Sequence, residues 1–220
     1  MYKVSAKLFI VICIHHICKN EQWFPRQLGG VGDVNNWYVE WPAWPKPRYF
    51  DLFYFIPLGF YLEDILHLIW QPRLNDFSEM VLHHLVTVSL MVYSYLMNFS
   101  TVGIIIIQLH SVSDIAVSLG KALIDLRNSV PAYTSAVFLI ISWAYTRLYV
   151  LLIVILSIPP IDTERYIGLA SLALFKYSFV FFLGTLYVMH WFWFFKIVST
   201  VARAIFKGDR RDVTTERKTA

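Results

Sequence analysis

The sequence predicts an all-α, polytopic membrane protein with about five to six transmembrane helices. Three observations carry that prediction. First, 57% of the 220 residues are hydrophobic and only 15% are charged, whereas soluble domains run at roughly 45–50% apolar and about 25% charged. Second, apolar stretches of the roughly 20 residues needed to cross a bilayer recur along the chain. Third, the surplus of Lys and Arg behind the net charge of +4 sits in tails and short connections rather than along one polar face. Basic connections beside apolar spans follow the positive-inside rule, and they argue against a nucleic-acid footprint.

Taken in order, residues 4–18 form a short apolar first span. No small-residue cleavage site follows it; His15, His16 and Lys19 come next instead, so it does not read as a secretory signal. Cys13 and Cys18 are too few for a disulfide framework or a tetrahedral metal set. Residues 20–48 are rich in Trp and Pro, with Trp23, Trp37, Trp41 and Trp44 among Pro42, Pro45 and Pro47. Trp favours the headgroup level, which marks this stretch as an interfacial loop. Spans follow at 49–70, ended by Pro72, at 79–98, at 101–124 after a tight turn near Asn98, at 132–157 before Pro159 and Pro160, and at 170–199. This divides the chain into residues 1–34 with the short span, a membrane domain over 35–200, and a basic, flexible tail over 201–220.

Arg203, Lys207, Arg210, Arg211, Arg217 and Lys218 place that tail in the cytosol. Counting back puts Arg73 and Arg127 on the same side, with the 20–48 loop and the turn at Asn98 on the lumenal side. Asn98-Phe99-Ser100 is a glycosylation sequon so close to the bilayer that it is expected to stay unused.

Function is read from polar residues where they are expensive. An ionisable residue at a helix centre costs roughly 2.5–3.5 kcal/mol on insertion scales. Lys121, Lys176 and Lys196 lie near span ends and can snorkel. His83, His84, His110, Asp114 and Arg147 lie deeper, where snorkelling explains little. His110, Asp114, Ser118 and Lys121 share one helical face, and Met80, His84, Thr87 and Met91 share a face on the preceding helix, with His83 about 100° away. The two helices are antiparallel neighbours across the turn, so the histidines and Asp114 are expected at a similar depth. A polar network that only fixes helix packing is the plain alternative. Two histidines facing a His/Asp helix favour a site instead, because an imidazole held by a carboxylate serves as general base or nucleophile.

At these residues the chain resembles a known family. Asp76-Phe77-Ser78-Glu79-Met80-Val81-Leu82-His83-His84-Leu85-Val86-Thr87, then Ser94-Tyr95, Asn98, Gly103, His110-Ser111-Val112-Ser113-Asp114 and Lys121 resemble the Lag1 motif of ceramide synthases in the TRAM–LAG1–CLN8 (TLC) family. Arg147 and Trp193 fit positions typical of that domain. The resemblance implies a TLC-type helical barrel around a central cavity, in the endoplasmic reticulum. It implies transfer of a fatty acyl group from acyl-CoA to the nitrogen of a sphingoid base, with no metal and no cofactor beyond the acyl-CoA substrate. His83 and His84 would be the catalytic pair with His110 beside them, Asp114 would orient or tune a histidine, and Arg147, Ser111, Lys121 and Trp193 would contact substrate. Acyl-CoA, the sphingoid base and membrane lipids are the implied partners, with no nucleic acid; a homo- or hetero-oligomer is left open.

Two departures weigh on that reading. The family usually carries Asp directly after the second-helix histidine, where this chain has Ser111, and often Glu where it has Ser118. A serine hydroxyl cannot supply a carboxylate's charge, so Glu63 or Asp64 is a candidate replacement. The chain is also shorter than most ceramide synthases and lacks the homeobox-like segment of some animal members, leaving open whether N-terminal helices that close the barrel are missing. The alternative function is therefore a catalytically weakened TLC-fold lipid-binding or assembly subunit of a membrane complex. A histidine-box oxidoreductase is disfavoured, because His15-His16 and His83-His84 are bare pairs and His67, His110 and His190 stand alone. His15 and His16 read as interfacial, and His190 as packing against aromatics such as Trp193.

Overall fold

The computed structural model describes residues 2–33, 36, 41, 43–70, 75–123, 129–158 and 169–207. Trp37, Pro42, Arg73, Arg127, Pro159, Pro160 and residues 208–220 of the tail lie outside the described residues. The apolar stretches become helices α1 (Tyr2–Cys18), α2 (Phe50–Trp70), α3 (Phe77–Leu96), α4 (Ser100–Leu123), α5 (Ser129–Trp143), α6 (Leu151–Leu156) and α7 (Leu169–Lys207), with no strand among the described residues. Between α5 and α6 the chain stays helical through a π-helical stretch, Ala144–Val150. Among the described residues, four segments are long and apolar enough to cross a membrane: Phe50–Trp70, Ser100–Leu123, Val130–Leu156 and Tyr177–Phe206. The helix α3 has the length, at 20 residues, but Glu79, His83 and His84 dilute its apolar character. The shorter apolar helix Val4–Cys18 adds a further element. The protein is thus a polytopic helical membrane protein, as expected.

The centre of the bundle is α4. Every residue from Ser100 to Ser111 is buried, which is the pattern of a helix wrapped by others on all sides. It packs against α1, α3, α5 and the π-helical stretch, while α7 closes against α3, α5 and α6. The short first helix is fastened to this centre by two polar contacts: Gln108 Nε2 donates to the Val11 carbonyl at 3.1 Å, and Lys7 Nζ meets Asp114 Oδ2 at 2.7 Å. The seventh helix continues past Arg203 to Lys207, so the first residues of the expected flexible tail are helical.

The α3–α4 turn is tight because Asn98 takes a left-handed conformation, φ 55°, which Asn tolerates better than most residues. Over this end of the bundle lies an aromatic cap. Trp23, Phe24, Trp41, Trp44 and Phe50 are all buried, with Trp44 edge-on to Phe50 at 4.9 Å and to Trp23 at 5.6 Å. Trp41 Nε1 donates to the Met97 carbonyl at 3.1 Å and Trp44 Nε1 to the Asn98 carbonyl at 3.2 Å. These indoles pack against protein, and the Trp41 and Trp44 NH groups find helix-end carbonyls left over by the turn. One turn below, Gly103 lets α2 and α3 close in, since a Cβ there would run into the Tyr54 and Ser94 hydroxyls. Tyr54 and Ser94 are hydrogen-bonded to each other, and the Tyr54 hydroxyl donates to the Met91 carbonyl at 2.9 Å.

Candidate active site

Three helices bring four imidazoles together, about 20 Å along α3 from the cap at His83. His83 and His84 come from α3, His110 from α4 and His190 from α7; all are buried. Adjacent residues on a helix point about 100° apart, so His83 and His84 face different neighbours. The His83 ring lies 6.0 Å from His110, 5.9 Å from His190 and 5.1 Å from Trp193, measured between centroids. His84 turns toward α2, where its ring is 6.0 Å from Tyr61. The two histidines are 5.4 Å apart, so both border one centre, as the sequence predicts.

His110 and His190 form its tightest pair, Nε2 to Nε2 at 3.2 Å. The Nδ1 of His110 is 2.8 Å from the Ile106 carbonyl. A carbonyl only accepts, so this nitrogen carries the proton and, in a neutral ring, Nε2 accepts. His190 Nε2 then donates to His110. Arg147 NH1, which only donates, also points at His190 Nε2 from 3.3 Å. A neutral His190 satisfies one of these neighbours at a time, so a tautomer change of His190 exchanges partners within the cluster.

Arg147 reaches the centre from the π-helical stretch, a feature often found at functional sites. All three guanidinium nitrogens are engaged: Nε with Ser113 Oγ, NH2 with Asp114 Oδ1 and the His110 carbonyl, and NH1 with His190. Its carbon lies 4.3 Å from the Trp143 ring centroid, and Trp143 Nε1 donates to the His190 carbonyl at 3.1 Å. Asp114 therefore contacts the histidines through Arg147 rather than directly. Its other oxygen is held by Lys7, so one carboxylate stands between two cations.

The remaining expected site residues fall into two groups. Trp193 packs on His83, and buried Ser111 lines a cleft with Lys7, Tyr61, Glu63, Asp64 and Asp114. Lys121 is exposed on the last turn of α4, about 10 Å along the axis from Asp114, and is not brought to the histidines. Nor are His15, His16 and His67; His16 and His67 are exposed and His15 packs edge-on to Phe24 at 6.1 Å. The expectation for His190 needs correction: it does pack on Trp143, at 5.8 Å, but it also bonds His110 and Arg147. Lys7 and Ser113 likewise belong to the site without having been singled out as site residues. A polar residue deep in an apolar run was the available signal for His190. Among the described residues, no three His, Cys, Asp or Glu side chains form a metal-holding group.

From His110 a narrow apolar pocket runs toward the cap. It is lined at one end by His110 and at the other by Ser94 and Gly103, with Thr87, Leu90, Ile107 and Phe179 along its walls. His110 and Gly103 are about 10 Å apart along α4. Tyr61 lines both this pocket and the polar cleft around Ser111.

The fold and site define a class, a polytopic helical membrane protein with a buried histidine–arginine centre beside an apolar pocket. The TRAM_LAG1_CLN8 family, the TLC domain, matches residues 2–199, and the chain belongs to that family. It is similar to Ceramide synthase LOH2 of Arabidopsis thaliana, 27% identical over 208 residues, covering 93% of this chain and 67% of the relative. It is 32% identical over 181 residues to Sphingosine N-acyltransferase lag1 of Schizosaccharomyces pombe, covering 78% of this chain and 46% of the relative. To Ceramide synthase hyl-1 of Caenorhabditis elegans it is 26% identical over 225 residues, 98% of this chain and 59% of the relative. The chain thus spans about half to two-thirds of the length of these relatives.

Proposed function

We propose that this chain is a ceramide synthase-like sphingoid-base N-acyltransferase of the endoplasmic reticulum membrane, with its C-terminal tail in the cytosol. The observation that carries the reading is the four-histidine centre with an apolar pocket beside its His110. Apolar walls suit a fatty acyl chain, and imidazoles suit the proton movement that amide formation requires. In the proposed reaction the free amine of the long-chain base attacks the carbonyl carbon of the acyl thioester. The C–N bond forms, the C–S bond breaks, and coenzyme A leaves as the thiol. One proton leaves the amine and one reaches the sulfur, so an imidazole that accepts the first and supplies the second closes the balance.

The reading assigns that transfer to His83, and its ring contacts with His84, His110 and His190 support the assignment. A route in which a histidine first takes the acyl group uses the same residues. Arg147 and Asp114 are assigned to holding His190 and the His110 turn. With every guanidinium nitrogen engaged, Arg147 takes this role in place of anion binding. Ser111, lacking a carboxylate, is what favours the second reading, a lipid-binding or assembly subunit.

The test is N-acylation of labelled sphinganine by acyl-CoAs of several lengths, in microsomes from a host without its own ceramide synthases. Ceramide formation lost in both His83→Ala and His84→Ala is the expected result. A folded wild-type protein that gives no product in its native membrane would refute the enzyme and favour the subunit.

A further inference from the structure

Hydroxyls on membrane helices ordinarily hydrogen-bond to a carbonyl about one turn back. The chain follows this habit at Thr134, Thr146 and Thr185, whose hydroxyls donate to the carbonyls of Val130, Ser142 and Phe181 at 3.1, 2.7 and 2.9 Å. Thr87 departs from it. Its side chain is only 3% exposed, yet among the described residues its Oγ1 has no hydrogen-bond partner. A buried hydroxyl left unpaired costs about 1–3 kcal/mol, so the position is expensive for folding alone.

Its place explains what the expense could serve. Thr87 lies on α3 one turn beyond both His83 and His84, and it lines the apolar pocket together with His110. Thr87 therefore brings an unpaired hydroxyl to the pocket wall near His110, where the histidine centre gives way to hydrocarbon surface. Along a fatty acyl thioester, the carbonyl oxygen is the atom that must sit at that boundary. During attack on the carbonyl carbon this oxygen gains negative charge, and a preorganised O–H aimed at it stabilises the transition state more than the ground state.

We propose that Thr87 is a catalytic hydrogen-bond donor to the carbonyl oxygen of the bound acyl thioester. The assignment rests on the acyltransfer reading above and names the oxyanion contact for that site. In the step it serves, the amine nitrogen bonds to the carbonyl carbon, the carbonyl π electrons move to the oxygen facing Thr87, and their return expels the coenzyme A sulfur. Thr87 keeps its own proton throughout.

The experiment compares wild type, Thr87→Val and Thr87→Ser, each as the full chain in detergent–lipid micelles. Valine keeps the shape and removes the hydroxyl; serine restores it. For Thr87→Val the expected result is a kcat for N-acylation lower by on the order of 10²–10³-fold, with KM for acyl-CoA little changed. Its unfolding midpoint should equal or exceed that of wild type, because an unpaired buried hydroxyl has gone. Thr87→Ser should recover most of the rate. A second readout needs no turnover: a ketone analogue of palmitoyl-CoA, with CH₂ between the carbonyl and the sulfur, carries a ¹³C label at that carbonyl. Its infrared stretch should fall in frequency on binding to wild type and to Thr87→Ser, but not to Thr87→Val.

A Thr87→Val protein with wild-type kcat and an unchanged ketone stretch would overturn the proposal. So would a lowered midpoint with activity that merely tracks folded protein, or failure of folded wild type to bind the analogue. Wild type that binds the analogue with a Thr87-dependent stretch but never acylates an amine would keep the hydrogen bond and reject the sphingoid-base reading.

Discussion

Removing the Asp114 carboxylate tests the charge arrangement most directly. In Asp114→Asn the carboxylate between Lys7 and Arg147 becomes a neutral amide. The two cations are unlike in their surroundings: the Arg147 side chain is 4% exposed and that of Lys7 is 26% exposed. Lys7 can turn its ammonium toward water, so its share of the loss is small, on the order of the 0.2–1 kcal/mol measured for exposed pairs. Arg147 cannot, and stripping the partner from a buried charge costs about 3–5 kcal/mol. For a chain of this size, 1 kcal/mol moves the unfolding midpoint by about 2–4 °C, so Asp114→Asn should lower it by about 6–20 °C. Lys7→Met should lower it by no more than about 4 °C. Replacing the buried pair together, Asp114→Asn with Arg147→Met, should recover part of the Asp114→Asn loss, because no deeply buried charge is left unpaired. Thermal unfolding of the purified protein in detergent reads all of these. Equal losses for Asp114→Asn and Lys7→Met, or a double variant no better than Asp114→Asn, would refute the reasoning.

Three further outcomes are expected. Gly103→Ala forces a methyl against the Tyr54 and Ser94 hydroxyls and should destabilise by about 1–3 kcal/mol; unfolding midpoints check this, and adding Ser94→Ala should relieve part of it. Asn98 should carry no glycan in the folded protein, since Phe99 and Ser100 of its sequon are 1% and 0% exposed; mobility on gels with and without a glycosidase decides the matter. Trp143→Phe removes the 3.1 Å bond to the His190 carbonyl and weakens the stack under Arg147, and should cost about 0.5–1.5 kcal/mol of stability for the hydrogen bond, read from the same unfolding curves.

What could be read from the sequence follows from what a bilayer penalises. His83, His84, His110, Asp114 and Arg147 stand out because a deep polar residue must be explained, and the structure brings all five to one centre. The helix boundaries were legible for the same reason, apolar length being set by bilayer thickness. Lys7 was not legible, because a lysine in a short helix near a terminus has an easy explanation in snorkelling, and nothing local says that its helix lies against Asp114. The carbonyl contacts of Trp41 and Trp44 were hidden in a similar way. An indole suits a headgroup and a helix-end carbonyl equally well, and only the fold decides between them. The π-helical stretch that carries Arg147 leaves no mark on a hydrophobic pattern of period 3.6, so neither its place nor the engagement of all three guanidinium nitrogens could be anticipated.

The departure at Ser111 can now be given a structural form. Ser111 opens onto the cleft between α1, α2 and α4 that Glu63 and Asp64 also line, beside Lys7 and Asp114. If the cleft needs a carboxylate besides Asp114, α2 supplies it from across the gap, and the family's usual Asp at position 111 would be redundant here. Charge arithmetic makes this testable. Glu63, Asp64 and Asp114 set three carboxylates on the cleft wall beside Lys7, a lining that suits the cationic head of a long-chain amine. Ser111→Asp alone would add a fourth carboxylate, at i and i+3 from Asp114 on one helical face, where like charges repel by a few tenths of a kcal/mol. It should therefore leave N-acylation unchanged or slightly lower. Glu63→Gln with Asp64→Asn should reduce the rate and raise KM for the base more than for acyl-CoA. Adding Ser111→Asp to that pair restores one carboxylate at the family position and should recover the rate. Full activity in the Glu63→Gln, Asp64→Asn protein would show that the cleft works without a transplanted carboxylate, and recovery failing in a well-folded triple variant would show that position 111 and α2 do not serve the same head group.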